Sequence, residues 1–174
     1  EKLERYARKG IRNRSIRAMI IGIPNVGKST LINRLAKRKA ADTGDRPGVT
    51  KSTKWIKVNN VFELLDTPGI LWPKFEDQEI GKKLAYIGSI NDEIIEKTEL
   101  AYNFIEFLKN YYPDAIKNRY NIDISDDLND TLIKIGESLH FYLGNKDVDI
   151  DKTALYVLQE YRNDYLGKMT LDRL

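Results

Sequence analysis

Apolar positions come in short runs over the first third of the chain and at helical spacing over the rest. Residues 16–23 form a run apolar enough to predict a strand buried on both faces. Leu31, Ile32 and Leu35 follow at a spacing that predicts a helix from Lys28 to about Lys37. Residues 53–58 and 61–65 read as two strands joined at Asn59-Asn60, a β-hairpin pattern. Upstream, Leu3, Tyr6 and Ala7 share one face of a helix that stops near Gly10. From about Gln78 the steps become three and four. Ile94, Thr98, Ala101, Ile105 and Leu108 mark one helical face, Leu128, Leu132, Ile135 and Leu139 a second, and Ala154, Leu158, Tyr161 and Tyr165 a third. Breaks fall at Pro113 and at 121–127. The pattern predicts an α/β portion over 1–90 and an all-α helical domain over 91–174, its helices packed as a small bundle.

Between the first predicted strand and helix lies Gly22-Ile-Pro-Asn-Val-Gly27-Lys28-Ser29-Thr30, which has the G-x-x-x-x-G-K-[ST] spacing of a P-loop. Glycines let the backbone turn several N–H groups toward one point. The helix that follows adds free amides and a positive dipole end, so an anion fits there. Lys28 can reach outer phosphates, and the Ser29 hydroxyl can ligate Mg²⁺. Asp66-Thr67-Pro68-Gly69 ends an apolar strand, as a metal-holding Asp does, and the Gly69 amide can face a γ-phosphate. Thr50 sits in a polar loop, 38–51, where its hydroxyl can join the same ion. Loss of the γ-phosphate would release both segments, a switch by order and disorder. Each signal alone is also an ordinary turn. Together and in this order they point to a GTPase-type switch rather than a generic ATPase.

Composition narrows the setting. A 41% hydrophobic and 32% charged chain of 174 residues suits a globular protein of one domain or two small ones. There is no cysteine, which excludes disulfides and thiolate metal sites. No apolar run reaches membrane-spanning length, so the expectation is a cytoplasmic protein without membrane contact, acting as a monomer. Charge is uneven: Glu1 to Lys54 carries 15 Lys and Arg against 4 Asp and Glu, and the remainder 14 against 22. A basic front half suggests a polyanionic partner, with a solvated face as the plain alternative.

Some expected features are missing from the sequence. A guanine-reading Asn-Lys-x-Asp should follow a later parallel strand, and none does. Asn145-Lys146-Asp147-Val148-Asp149 has Val at the fourth position and follows a stretch, 138–144, that continues a helical pattern, so it is a decoy. A base-reading element is then expected upstream of Glu1, or not at all. The position after Gly69 is Ile70, which cannot hold an attacking water, so intrinsic turnover should be slow and no catalytic residue is assigned. His140, the only histidine, lies in a helical pattern beside Phe141 and Tyr142 and reads as a packed or partly exposed helix residue. Trp72-Pro73-Lys74-Phe75 reads as a docking epitope or as an aromatic plug for the helical domain.

Three segments carry a resemblance: 17–36 (RAMIIGIPNVGKSTLINRLA), 43–50 (TGDRPGVT) and 63–77 (ELLDTPGILWPKFED). They resemble the circularly permuted ribosome-assembly GTPases of the RbgA/YlqF type, whose guanine-reading motifs precede the P-loop. The resemblance implies an incomplete, permuted GTPase core that binds and hydrolyses GTP, passing to GDP. It implies a role in assembling the large ribosomal subunit, with rRNA contact through the helical domain. The nucleotide-binding residues it implies are Asn25, Val26, Gly27, Lys28, Ser29, Thr30 and Gly69, and the Mg²⁺ ligands are Ser29, Thr50 and Asp66. Asn25 matches the P-loop Asn that potassium-dependent relatives use, and loop capping remains open beside a K⁺ role. The upstream guanine-reading segment and the N-terminal His of relatives have no counterpart in these residues. The alternative is a phosphate- and RNA-binding module without base selectivity or turnover.

Overall fold

The computed structural model describes residues 1–10, 15–44, 47–71, 77–91, 96–144 and 146–172. The aromatic segment 72–75 and Asn145, both singled out above, lie outside the described residues. The chain divides into two compact units, Glu1–Lys74 and Phe75–Leu174.

The first unit holds α1 (Lys2–Arg8), β1 (Ile16–Met19), α2 (Lys28–Ala36), β2 (Lys54–Lys57) and β3 (Phe62–Asp66). The strands form one sheet in the order β1-β3-β2, with β1 parallel and β2 antiparallel to β3. Ile16 pairs with Phe62, and Ile56 pairs with Leu64. Alternation along the strands then points Ala18, Ile56 and Leu64 to one face. There they meet Ile32 of α2 and Ala41 in a small core. The hairpin is closed by a side chain: Asn59 Oδ1 accepts from the Val61 and Phe62 amides, both at 2.8 Å. That is an Asx turn spread over 58–61, wider than the two-residue link the sequence suggested.

The strand expected over 16–23 is shorter and is not buried on both faces. Met19 is 57% exposed and Ile21 66%. Among the described residues, α2 covers only the face that holds Ile56 and Leu64. The other face carries Arg17, which pairs with Glu63 at 2.9 Å and lies over the Trp55 ring.

The second unit holds α3 (Gln78–Tyr86), α4 (Lys97–Tyr111), α5 (Asp114–Tyr120), α6 (Leu128–Ser138) and α7 (Ile150–Arg162). By packing, α3 belongs to this unit: Ala85 and Tyr86 join its core. The pattern of the sequence had put those residues before its boundary at 90. Phe104 is fully buried at the centre, its ring 5.0 Å from Tyr86 and 4.7 Å from Tyr161. Ala101, Ile105 and Leu108, then Leu132 and Ile135, then Ala154 and Leu158, are all buried, as helical spacing predicted. Acidic side chains start the helices: Asp77, Glu96, Asp127 and Asp149 each accept from first-turn amides, which are otherwise unpaired.

Two helices end earlier than the pattern suggested. After α6 the His140 amide donates to Glu137 O and the Phe141 amide to Gly136 O, with His140 at φ 58. That is a Schellman ending with His in the left-handed position usually held by glycine. Beyond Ser138 the stretch 139–144 is therefore not helical, and Tyr142 instead bridges antiparallel to Val148. Asp164, at φ 63, ends α7 in the same way and leaves Tyr165 outside the helix and 62% exposed. Among the described residues no helix is long and apolar enough to cross a membrane.

Candidate functional site

The chain leaves β1, passes Ile20 to Ile23, and turns at Pro24-Asn25-Val26-Gly27 into α2. Gly27 sits at φ 83 and Asn25 at φ 58, both left-handed, so the turn coils its amides inward. Glycine carries the first without strain, and asparagine is among the few other residues that tolerate the second. The turn opens into a cavity of about 450 Å³ lined by Pro24, Asn25, Gly27, Lys28, Ser29, Thr30, the stretch 42–44, Gly48, Val49, Thr50 and Gly69. The start of α2 faces this cavity with no side-chain cap on its amides.

Lys28 folds over the turn, and its Nζ donates to Ile23 O at 2.7 Å. Burial lowers its ammonium below the ordinary lysine value, while the Asp66 carboxylate pulls the other way. The Ser29 Oγ donates to Asp66, 3.2 Å from Oδ1 and 3.1 Å from Oδ2. A hydroxyl has one proton, so Thr50 must be the donor in its 3.1 Å contact with Ser29 Oγ. Three segments 21 and 37 residues apart thus bring their oxygens together around one serine. Asp66 is only 3% exposed, held behind Ser29 at the end of β3. The donors are a carboxylate and two hydroxyls, all hard oxygen ligands that fit Mg²⁺. Among the described residues no group of three or more His, Cys, Asp or Glu could hold a metal. An ion here would therefore draw its remaining ligands from water and phosphate.

The segment after Asp66 is bound to the P-loop strand. Thr67 Oγ1 donates to Ile20 O at 2.6 Å, and the Ile70 amide donates to Gly22 O at 3.2 Å. Between them Gly69 lies against Pro24. A Cβ on Gly69 would stand 2.4 Å from both Pro24 N and Cα. Those are backbone atoms and cannot turn aside. Gly69→Ala is expected to push the segment off the P-loop, break the Ile70–Gly22 bond and cost about 1–3 kcal/mol. A urea midpoint unchanged from the parent chain would show that the contact yields without cost.

Of the sequence-assigned residues, Asn25, Gly27, Lys28, Ser29, Thr30, Thr50 and Gly69 share the cavity wall, and Asp66 backs it through Ser29. Val26 does not line it, and its side chain is 48% exposed. Ile70, in the position after Gly69, is 63% exposed. His140 belongs to the second unit. Sequence reasoning missed Pro24, Asp42 and Asn33. Pro24 lay inside the motif, but its contact with Gly69 spans 45 residues of chain. Asp42 and Asn33 carry no motif at all.

The family model described as "50S ribosome-binding GTPase" matches residues 17–140. The chain is 53% identical over 174 residues to Ribosome biogenesis GTPase A of Priestia megaterium, covering 99% of this chain and 60% of that protein. It is 51% identical over 173 residues to the Bacillus cereus protein of the same name, covering 99% and 58%. It thus spans about three fifths of the length of these relatives. Among solved structures, GNP-bound YlqF from T. maritima superposes with a TM-score of 0.63 at 24% identity, over 98% of this chain and 64% of the other. At that identity the likeness is one of fold.

Proposed function

This chain belongs to the 50S ribosome-binding GTPase family, and we propose that it carries the phosphate grip, metal site and helical unit of a GTP-hydrolysing assembly factor for the large ribosomal subunit. One observation carries the proposal. The Ser29 hydroxyl lies 3.1–3.2 Å from the Thr50 and Asp66 oxygens, beside Lys28 and the start of α2. Relatives named for ribosome biogenesis, at 53% and 51% identity, support the ribosomal partner. The basic front half, 15 Lys and Arg against 4 acids, supports contact with rRNA. The protein acts in the cytoplasm as a monomer.

In this proposal the turn from Asn25 to Thr30, Val26 included, offers its backbone to the β- and γ-phosphates of GTP, or to the phosphates of GDP. Lys28 leaves Ile23 O for the phosphate oxygens. The Gly69 amide senses the γ-phosphate, and its docking on Pro24 ties that sensing to the P-loop. Ser29, Thr50 and Asp66 hold Mg²⁺, which when bound neutralises charge on the phosphates. The left-handed Asn25 can present its amide oxygen to K⁺ at the same site. Ile70 cannot orient water, so turnover is slow until a partner or another part of the full-length protein supplies that group.

The test is GTP hydrolysis by the full-length protein with and without large ribosomal subunits, in K⁺ or Na⁺ buffer. We expect stimulation by subunits, in the direction of the roughly 10³-fold or greater effects that outside groups supply. Equal rates with and without subunits would remove the gating, and equal rates in K⁺ and Na⁺ would remove the ion at Asn25. A second reading is favoured by one observation: among the described residues no strand follows Asp66 to carry a base-reading element. It makes this chain by itself a phosphate- and RNA-binding module. A strong preference of the chain for GTP over ATP would overturn it.

A further inference from the structure

Asn33, one turn along α2 from Ser29, makes three hydrogen bonds that the phosphate site does not require. Its Nδ2 donates to Ala41 O at 2.9 Å. Its Oδ1 accepts from the Ala40 amide at 2.8 Å and from the Ala41 amide at 2.7 Å. Its own carbonyl accepts from the Arg38 amide and so ends α2, with Lys37 at φ 53. One residue therefore stops the helix and catches the returning chain two residues before the cavity-lining loop begins. The Ala41 side chain is only 6% exposed, packed with Ile32, Ile56 and Leu64. The chain is gripped by packing as well as by hydrogen bonds.

The far end of the loop is held differently. Thr50 reaches α2 through a single 3.1 Å contact to Ser29 Oγ. Both of those residues line the cavity, whereas Asn33, Ala40 and Ala41 do not. A ligand shifts an equilibrium only through contacts that differ between the two states. It can thus rearrange the Thr50 end directly but has no such contact with the Asn33 end. Ser29 and Asn33 are four residues apart, about 6 Å along the helix axis. The points where Ala41 and Thr50 are held therefore lie on neighbouring turns of α2.

We propose that Asn33 is a positioning residue for nucleotide binding: a permanent clasp that fixes Asp42, Thr43 and Gly44 as a standing wall of the cavity and confines switch motion to the chain beyond them. The inference rests on the nucleotide-binding proposal above, which it deepens. It divides the loop into a fixed wall next to the clasp and a releasable latch at Thr50.

The test combines hydrogen exchange with nucleotide release. In the parent chain the Ala40 and Ala41 amides should be protected to the same degree with and without Mg²⁺-GDP. Asn33→Leu keeps the bulk but loses all three bonds. It should expose both amides and speed release of a fluorescent GDP about 10-fold. Asn33→Asp keeps the acceptor for both amides and should restore most of both properties, which a residue needed only for bulk would not do. Protection that appears in the parent chain only when GDP is added would overturn the clasp, and that measurement needs no variant. So would wild-type protection and release in Asn33→Leu. If the parent chain binds no GDP, the nucleotide proposal fails and this one with it. If it binds and Asn33→Leu releases at the parent rate, only the clasp fails.

Discussion

Lys28→Ala is expected to abolish measurable GDP and GTP binding, weakening it by about 100-fold or more. The ammonium is the only cationic group on the cavity wall among the described residues. Hydrogen bonds to charged partners are worth about 1.5–3 kcal/mol each, and a lysine reaching two phosphates makes at least two. Every 1.4 kcal/mol is about tenfold in affinity. Folding should survive the change. In this structure Lys28 gives up its 2.7 Å bond to Ile23 O and its attraction to the Asp66 carboxylate, and it packs in neither hydrophobic core. Isothermal titration with Mg²⁺-GDP, beside a circular dichroism melt, separates the two effects. Binding within tenfold of the parent would place the phosphates elsewhere.

The second large effect lies in the helical unit. Glu160 on α7 is 4% exposed and accepts from Arg119 Nε and Nη2, both at 2.6 Å, and from the Tyr120 hydroxyl at 2.9 Å. Arg119 and Tyr120 close α5, so this carboxylate fastens one helix to another. Bonding to Arg119 is the main cause that holds the Glu160 carboxyl below the ordinary range, against the opposing effect of burial. Burial, first, and then the bond to Glu160 push the Tyr120 hydroxyl above the ordinary phenol value, so it stays a donor. Arg119→Met leaves a buried acid that keeps the hydroxyls of Tyr120 and Tyr156 but loses its cation. We expect a loss of about 3 kcal/mol, the low end for a broken buried pair because the Arg119 side chain is 38% exposed.

The pH dependence follows the same sign. A depressed carboxyl stabilises the fold above its unfolded pKa, about 4.3, and that gain is lost as pH falls through the lower folded value. In Arg119→Met this contribution should shrink or reverse, since burial alone raises a carboxyl pKa. Urea midpoints of both chains at pH 7 and pH 4 test this. Equal midpoints at pH 7 would show that the cluster is only decoration.

Much of this protein was legible in one dimension because its information is local. Helical spacing located the buried faces of α4, α6 and α7, since apolar side chains three and four apart must share one side. The P-loop could be read because glycine, lysine and serine at fixed offsets act on a ligand through their own short turn. Local pattern failed where a residue took an unusual role without an unusual identity. His140 and Asp164 end helices in a conformation that the pattern credits to glycine, and Met19 and Ile21 are apolar but exposed.

The linear chain by itself determined the P-loop turn, the acidic strand end and the helical character of the second unit, and it pointed to Thr50 as a residue of the same cavity. Only the tertiary structure decided that Asp66, Thr50 and Ser29 touch, that Gly69 abuts Pro24, that Glu160 binds Arg119 and that Asn33 clasps Ala40 and Ala41. These contacts join residues from 7 to 45 positions apart. In the first unit they arise from sheet register and from the direction in which α2 returns the chain, and in the second from how α5 meets α7. Hydrophobic period carries no record of either, because it reports which side of an element faces inward and not what it meets there.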